Sequence, residues 1–115
     1  MLSSVNAARI WLCTTPADMR CSYNGLSALA RNHLKQNPLS GDLFVFINRK
    51  RTQMKVLYFE QGGYCIWAKR LEQGTFATSR SEPVAQLISW AKLKCLLEGI
   101  DIQVVRQRLR YNKHC

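Results

Sequence analysis

Five consecutive apolar residues, Leu43-Phe44-Val45-Phe46-Ile47, constrain this chain more than any other feature. Successive side chains of a strand point to opposite faces, so Leu43, Val45 and Ile47 load one face and Phe44 and Phe46 the other. A strand that is apolar on both sides belongs inside a sheet covered on both sides. Two more strand-like runs follow it, Met54–Glu60 and Tyr64–Arg70, rich in β-branched and aromatic residues. The turn between the first two, Asn48-Arg49-Lys50-Arg51-Thr52, is dense in positive charge. The turn between the last two, Gln61-Gly62-Gly63, has glycines suited to a tight hairpin. Leu43–Arg70 therefore reads as a three-stranded meander with a cationic tip.

The flanking segments are placed by how they cover this sheet. Arg9–Cys13 is a short apolar segment fit for a first strand, and Thr14-Thr15-Pro16 breaks it. Leu26, Leu29, Ala30 and Leu34 recur at helical spacing, so a helix is expected over residues 21–36, ended by Asn37-Pro38. Gly25 weakens that helix unless close packing requires it. A short strand is conceivable at Thr75–Thr78. Val84, Leu87, Ile88, Ala91 and Cys95 form a second stripe and predict a helix over residues 83–98, capped by Ser81 or Glu82 and stopped by Gly99. Ile100–Val104 could add an edge strand, and residues 106–115 read as a basic, flexible tail. The expected fold is α+β: one domain over residues 1–115, with a small mixed or antiparallel sheet and two principal helices. The helices could cover one face and leave the other to a homodimer, or straddle the sheet; the residues leave both open.

Charge points to the partner. Seventeen Lys and Arg stand against seven Asp and Glu, a net charge of +10. The excess is clustered: Arg49, Lys50, Arg51 and Lys55 fall in one acid-free stretch, Arg106, Arg108, Arg110 and Lys113 in another, and Lys69 and Arg70 close the meander. Such clustering is the footprint of a nucleic-acid binder, and these ten residues are the candidate phosphate contacts. Tyr58, Phe59, Tyr64 and Trp67 lie among them and could stack on bases if exposed, although Phe59 and Trp67 read more simply as core.

Other chemistry is poorly supported. The five cysteines show no C-x-x-C pattern and no paired Cys/His spacing, which argues against zinc and against a disulfide framework. No cofactor motif is present. The seven carboxylates are scattered, so a two-metal nuclease site is not expected, and His33 on a helix boundary reads as structural before it reads as a base. No apolar run is long enough to cross a membrane, and the N-terminus lacks a secretory layout. A cytoplasmic, non-enzymatic binding protein is the expectation.

A set of short motifs in fixed order sharpens this: Asp18-Met19-Arg20, Gly25-Leu26, Asn37-Pro38-Leu39-Ser40-Gly41, Leu43-Phe44-Val45-Phe46, Asn48-Arg49, Lys55-Val56-Leu57-Tyr58, Gly63-Tyr64, Trp67, Lys69-Arg70-Leu71-Glu72, Gly74, Phe76 and Leu96-Leu97-Glu98-Gly99-Ile100-Asp101. Together they resemble the TnpB accessory proteins of the insertion-sequence-66 family of bacterial transposable elements, over roughly residues 9–101. Departures from the family pattern fall at Cys21-Ser22-Tyr23, Tyr58-Phe59 and Phe76-Ala77-Thr78-Ser79. The resemblance implies a small cytosolic protein that assists transposition, with strand-transfer chemistry residing in a separate transposase, and it carries over no catalytic residue. The expected function is thus DNA binding or transposase assistance; the alternative is a module that docks the transposase without touching DNA.

Overall fold

A computed structural model of the chain describes residues 8–78 and 83–98. Its centre is a five-stranded mixed sheet in the order β4-β3-β2-β1-β5. The strands are β1 (Ile10–Cys13), β2 (Leu43–Ile47), β3 (Gln53–Glu60), β4 (Gly63–Arg70) and β5 (Ala85–Ile88). The meander is as its sequence predicts: β2, β3 and β4 pair antiparallel, Val45 opposite Val56 and Val56 opposite Trp67. β1 runs parallel to β2, Leu12 opposite Val45, so the chain between them must cross over one face, carrying a helical segment.

That segment is shorter than its periodicity suggests. Helix α1 (Tyr23–Ala28) passes into a π-helical turn, Leu29–His33, in which the Leu34 amide donates to the Leu29 carbonyl at 3.0 Å. The expected range of residues 21–36 is therefore trimmed at both ends. Cys21 lies in the preceding turn, its amide on the Asp18 carbonyl. Lys35 takes a left-handed φ of 59°, which stops the helix as a C-terminal glycine would. Gly25 has a packing reason: a Cβ there would lie 3.0 Å from Cys21 Cβ.

The larger correction concerns residues 83–98. Val84–Ile88 is not the first half of a helix. Ala85–Ile88 forms β5, antiparallel to β1 with Trp11 opposite Leu87, and Leu87 is 58% exposed rather than on an apolar stripe. A short apolar run fits either period, and here the free hydrogen-bonding edge of β1 decides. Helix α2 spans only Trp90–Leu97, and its cap is Ser89, whose Oγ accepts from the Lys92 amide at 3.0 Å. The caps expected at Ser81 or Glu82 lie outside the described residues, as do Ile100–Val104 and the 106–115 tail. Thr75–Thr78 is not a strand: the Phe76 amide reaches the Arg51 carbonyl, its ring is fully buried, and Thr78 closes a γ-turn onto Phe76.

The two faces of β2 are covered from within the chain. Leu43, Val45 and Ile47 pack with Ile10, Leu12, Val56, Phe76 and the α2 residues Leu93 and Leu96. Phe44 and Phe46 pack with Leu57 and with Leu26, Ala30 and Leu34 of the α1 segment. The helical segments thus straddle the sheet, and its second face needs no second copy. Each of the fully buried Val, Leu, Ile and Phe side chains among these contributes about 1.5–3 kcal/mol.

Candidate nucleic-acid interface

The strand directions gather the basic residues of the meander at one end. β1, β2 and β4 finish there and β3 begins there, since Gln53 pairs with Arg70. The Asn48–Thr52 turn protrudes from this end. Asn48 builds it: its Oδ1 accepts from the amides of Thr52 at 2.9 Å and Gln53 at 3.1 Å, while its carbonyl accepts from Arg51 at 3.0 Å. Arg49, Lys50 and Arg51 are all exposed on this frame. Among the described residues Arg49 and Lys50 have no carboxylate within ion-pair distance, whereas Arg51 Nη1 donates to the Thr78 carbonyl at 2.8 Å.

The other candidates divide by what holds them. Lys55 Nζ donates to the carbonyls of Met19 and Cys21, each at 2.8 Å, and so tethers the loop before α1. Lys69 Nζ donates to the Leu97 carbonyl at the end of α2, where a cation complements the helix dipole. Arg70 is exposed beside the tip and pairs with Glu72 at 3.2 Å. Arg106, Arg108, Arg110 and Lys113 lie outside the described residues.

The aromatic residues do not form an open stacking row. Tyr58 is buried, and burial pushes its hydroxyl pKa up. Trp67 packs against the α2-side core, and Phe59 and Tyr64 meet edge to face at 5.3 Å.

The carboxylates have structural work. Asp42, buried before β2, accepts from the Arg9 amide and from Trp11 Nε1, both at 3.2 Å, and pairs with the Arg9 guanidinium at 3.1 Å. Asp18 and Arg20 form a surface pair at 2.7 Å; hydrogen bonds from the Arg20 side chain and amide hold the Asp18 carboxyl down at about 2. Among the described residues no three His, Cys, Asp or Glu side chains converge as a metal site would require. Cys13, Cys21, Cys65 and Cys95 are free thiols. No helix of the described residues is long and apolar enough to cross a membrane.

Reading the sequence did not single out the loop after β1 as part of this end. Thr14, Thr15 and Pro16 line a cleft of about 290 Å³ together with Cys13, Ile47, Asn48, Arg49, Arg51 and Thr78. The signal available was Thr-Thr-Pro directly after a strand, read only as a break. The Ala17 amide donates to the Ile47 carbonyl at 2.9 Å and binds this loop to the end of β2, and Thr15 Oγ1 lies 2.8 Å from His33 Nε2. His33 thus anchors a loop hydroxyl.

The family described as IS66 Orf2 like protein matches residues 8–107. The chain belongs to that family. Two proteins of Sinorhizobium fredii (strain NBRC 101917 / NGR234), both described as uncharacterized, are similar to it. One, y4hO, is 42% identical over 101 residues, covering 88% of each chain. The other, y4jC, is 30% identical over 108 residues, covering 94% of this chain and 92% of the relative. No solved structure matches significantly. Membership supports an accessory role in transposition of IS66-type insertion sequences.

Proposed function

We propose that this protein is a non-catalytic accessory factor of IS66-type transposition that acts in the cytoplasm, binding DNA through phosphate contacts and working beside the element's transposase. The observation that carries the reading is the protruding turn, where Arg49 and Lys50 stand exposed, with no described acidic partner, on a frame made rigid by Asn48. Arg51 and Arg70 extend the same charge, the sequence adds Arg106, Arg108, Arg110 and Lys113 to the chain's basic residues, and phosphate contacts hold a duplex without reading its sequence. Lys55 and Lys69 contribute by positioning: their ammonium groups are taken up by backbone carbonyls, and they add charge behind the tip.

A salt titration of duplex binding tests this. If about four phosphates are neutralised, affinity falls roughly 100-fold between 50 and 200 mM salt. Replacing Arg49 and Lys50 together with Ala should weaken binding alike on element-end and random duplexes and lower the salt slope by roughly two. Undetectable binding at low salt, with transposase capture intact, would replace this reading with that of a pure protein-docking module.

A further inference from the structure

The carboxyl ends of the adjacent parallel strands β1 and β2 open into the cleft, the position where sheets with parallel strands commonly receive ligands. Its polar wall is Thr14, Thr15, Asn48, Arg49, Arg51 and Thr78, and no carboxylate lines it. Its floor is the end of the sheet, where Cys13, Thr14 and Ile47 are buried. The cleft opens to solvent away from that floor.

Arg51 is held there against its own backbone preference. Its φ is 61°, the left-handed region that favours glycine. Three bonds over-determine it: its amide to the Asn48 carbonyl at 3.0 Å, its carbonyl from the Phe76 amide at 2.7 Å, and Nη1 to the Thr78 carbonyl at 2.8 Å. Strain of this kind persists where surroundings enforce it and gathers at ligand clamps. Only one of the guanidinium's five N–H donors is needed for Thr78, and Arg49 stands two residues away on the same wall.

We propose that this cleft seats a terminal phosphate of a DNA strand. A terminal phosphate carries a charge of about −1.5 to −2 at neutral pH, matching two guanidiniums, whereas an internal phosphodiester carries one charge. It is also attached to its strand on one side only, so its free side can sit against the buried sheet end. The volume lies at the lower edge of the roughly 300–1,000 Å³ of small-molecule sites, room for a phosphate and its sugar rather than a through-running backbone. The inference rests on the DNA-binding reading above and adds to it a preference for strand ends.

The test compares two internally labelled duplexes of one sequence, with phosphates on all four termini or on none, by fluorescence anisotropy. The wild-type protein should bind the phosphorylated duplex about tenfold more tightly, as one or two charge-assisted hydrogen bonds give. Arg51→Gly, which suits the left-handed backbone, should bring the two duplexes to equal affinity, so that the phosphorylated duplex loses about tenfold more than the unphosphorylated one. Should Arg51→Gly fail to fold by circular dichroism, Arg49→Ala on the exposed turn takes its place and should reduce the preference. Equal wild-type affinities would overturn the inference and leave the DNA-binding reading standing; no binding to either duplex would overturn both. A preference that survives in folded variants would overturn the assignment to this cleft.

Discussion

Lys55 and Lys69 stand one register step apart on neighbouring strands and point through opposite faces of the sheet, Lys55 ending on carbonyls of the loop before α1 and Lys69 on the last residue of α2. The sheet's first face is secured to α2 by Lys69 and its second to the α1 entry by Lys55. Both tethers are charge-assisted and partly screened from water, so each is more than an ordinary surface bond.

Lys55→Met keeps the alkyl stem and removes the donor, leaving the Met19 and Cys21 carbonyls without it. The expected loss is roughly 1–3 kcal/mol, read as a lower urea midpoint with unchanged slope. Hydrogen exchange should show the loss as faster opening at residues 19–28, with β2 protected as before.

Lys35 occupies the left-handed residue that ends the α1 segment, and its exposed side chain has no hydrogen bond or ion pair among the described residues. Lys35→Gly should therefore stabilise the protein by about 0.5–1 kcal/mol, because the relief of the Cβ exceeds the entropy added to the unfolded chain. Thermal unfolding checks it; a lower midpoint would mean that the side chain makes a contact of its own.

Asp18 titrates at about 2 because the Arg20 side chain and amide hydrogen-bond its ionised form. A depressed folded value places the pair's contribution above the unfolded value of 3.8, to be lost as pH falls through about 2. Both groups are solvent-exposed, so the effect on stability is small. An NMR titration of the Asp18 carboxyl should give that midpoint, and Arg20→Gln should return it toward 3.8.

Asp42→Ala removes the acceptor shared by the Arg9 amide, the Arg9 guanidinium and Trp11 Nε1. A loss of about 1–3 kcal/mol is expected, since the partly buried Trp11 Nε1 and Arg9 amide lose their acceptor while the exposed Arg9 guanidinium adds little. Asp42→Asn retains an acceptor for Trp11 and should recover about half. Denaturant unfolding followed by Trp fluorescence reads both.

What the sequence could convey followed the range of the interactions concerned. The meander was legible because β2, β3 and β4 are consecutive and joined by short turns, so Val45, Val56 and Trp67 announce their pairing locally. β5 was not, because Val84–Ile88 fits two periodicities and its strand identity depends on an edge some seventy residues earlier in the chain. The tip was legible as charge. That Lys55 and Lys69 end on Met19, Cys21 and Leu97 was not, because a lysine in a strand looks the same whether it meets solvent or a distant carbonyl. The cleft needed Thr15, Arg51 and Thr78 brought together from three separate loops, which only the fold does.

The same strand directions set the tip apart from the pairing at the other end of β2, where Asp42 is matched by Arg9. Glu60 closes β3 and Asp42 precedes β2, a full strand length from Arg49 and Lys50. The turn thus concentrates positive charge in three consecutive exposed residues, Arg49, Lys50 and Arg51. In the field of a polyanion that concentration of charge would draw the turn in before any contact. Added salt would then slow its encounter with DNA as well as loosen its hold, so that attraction at a distance, and not surface chemistry alone, selects the end of the sheet that lands.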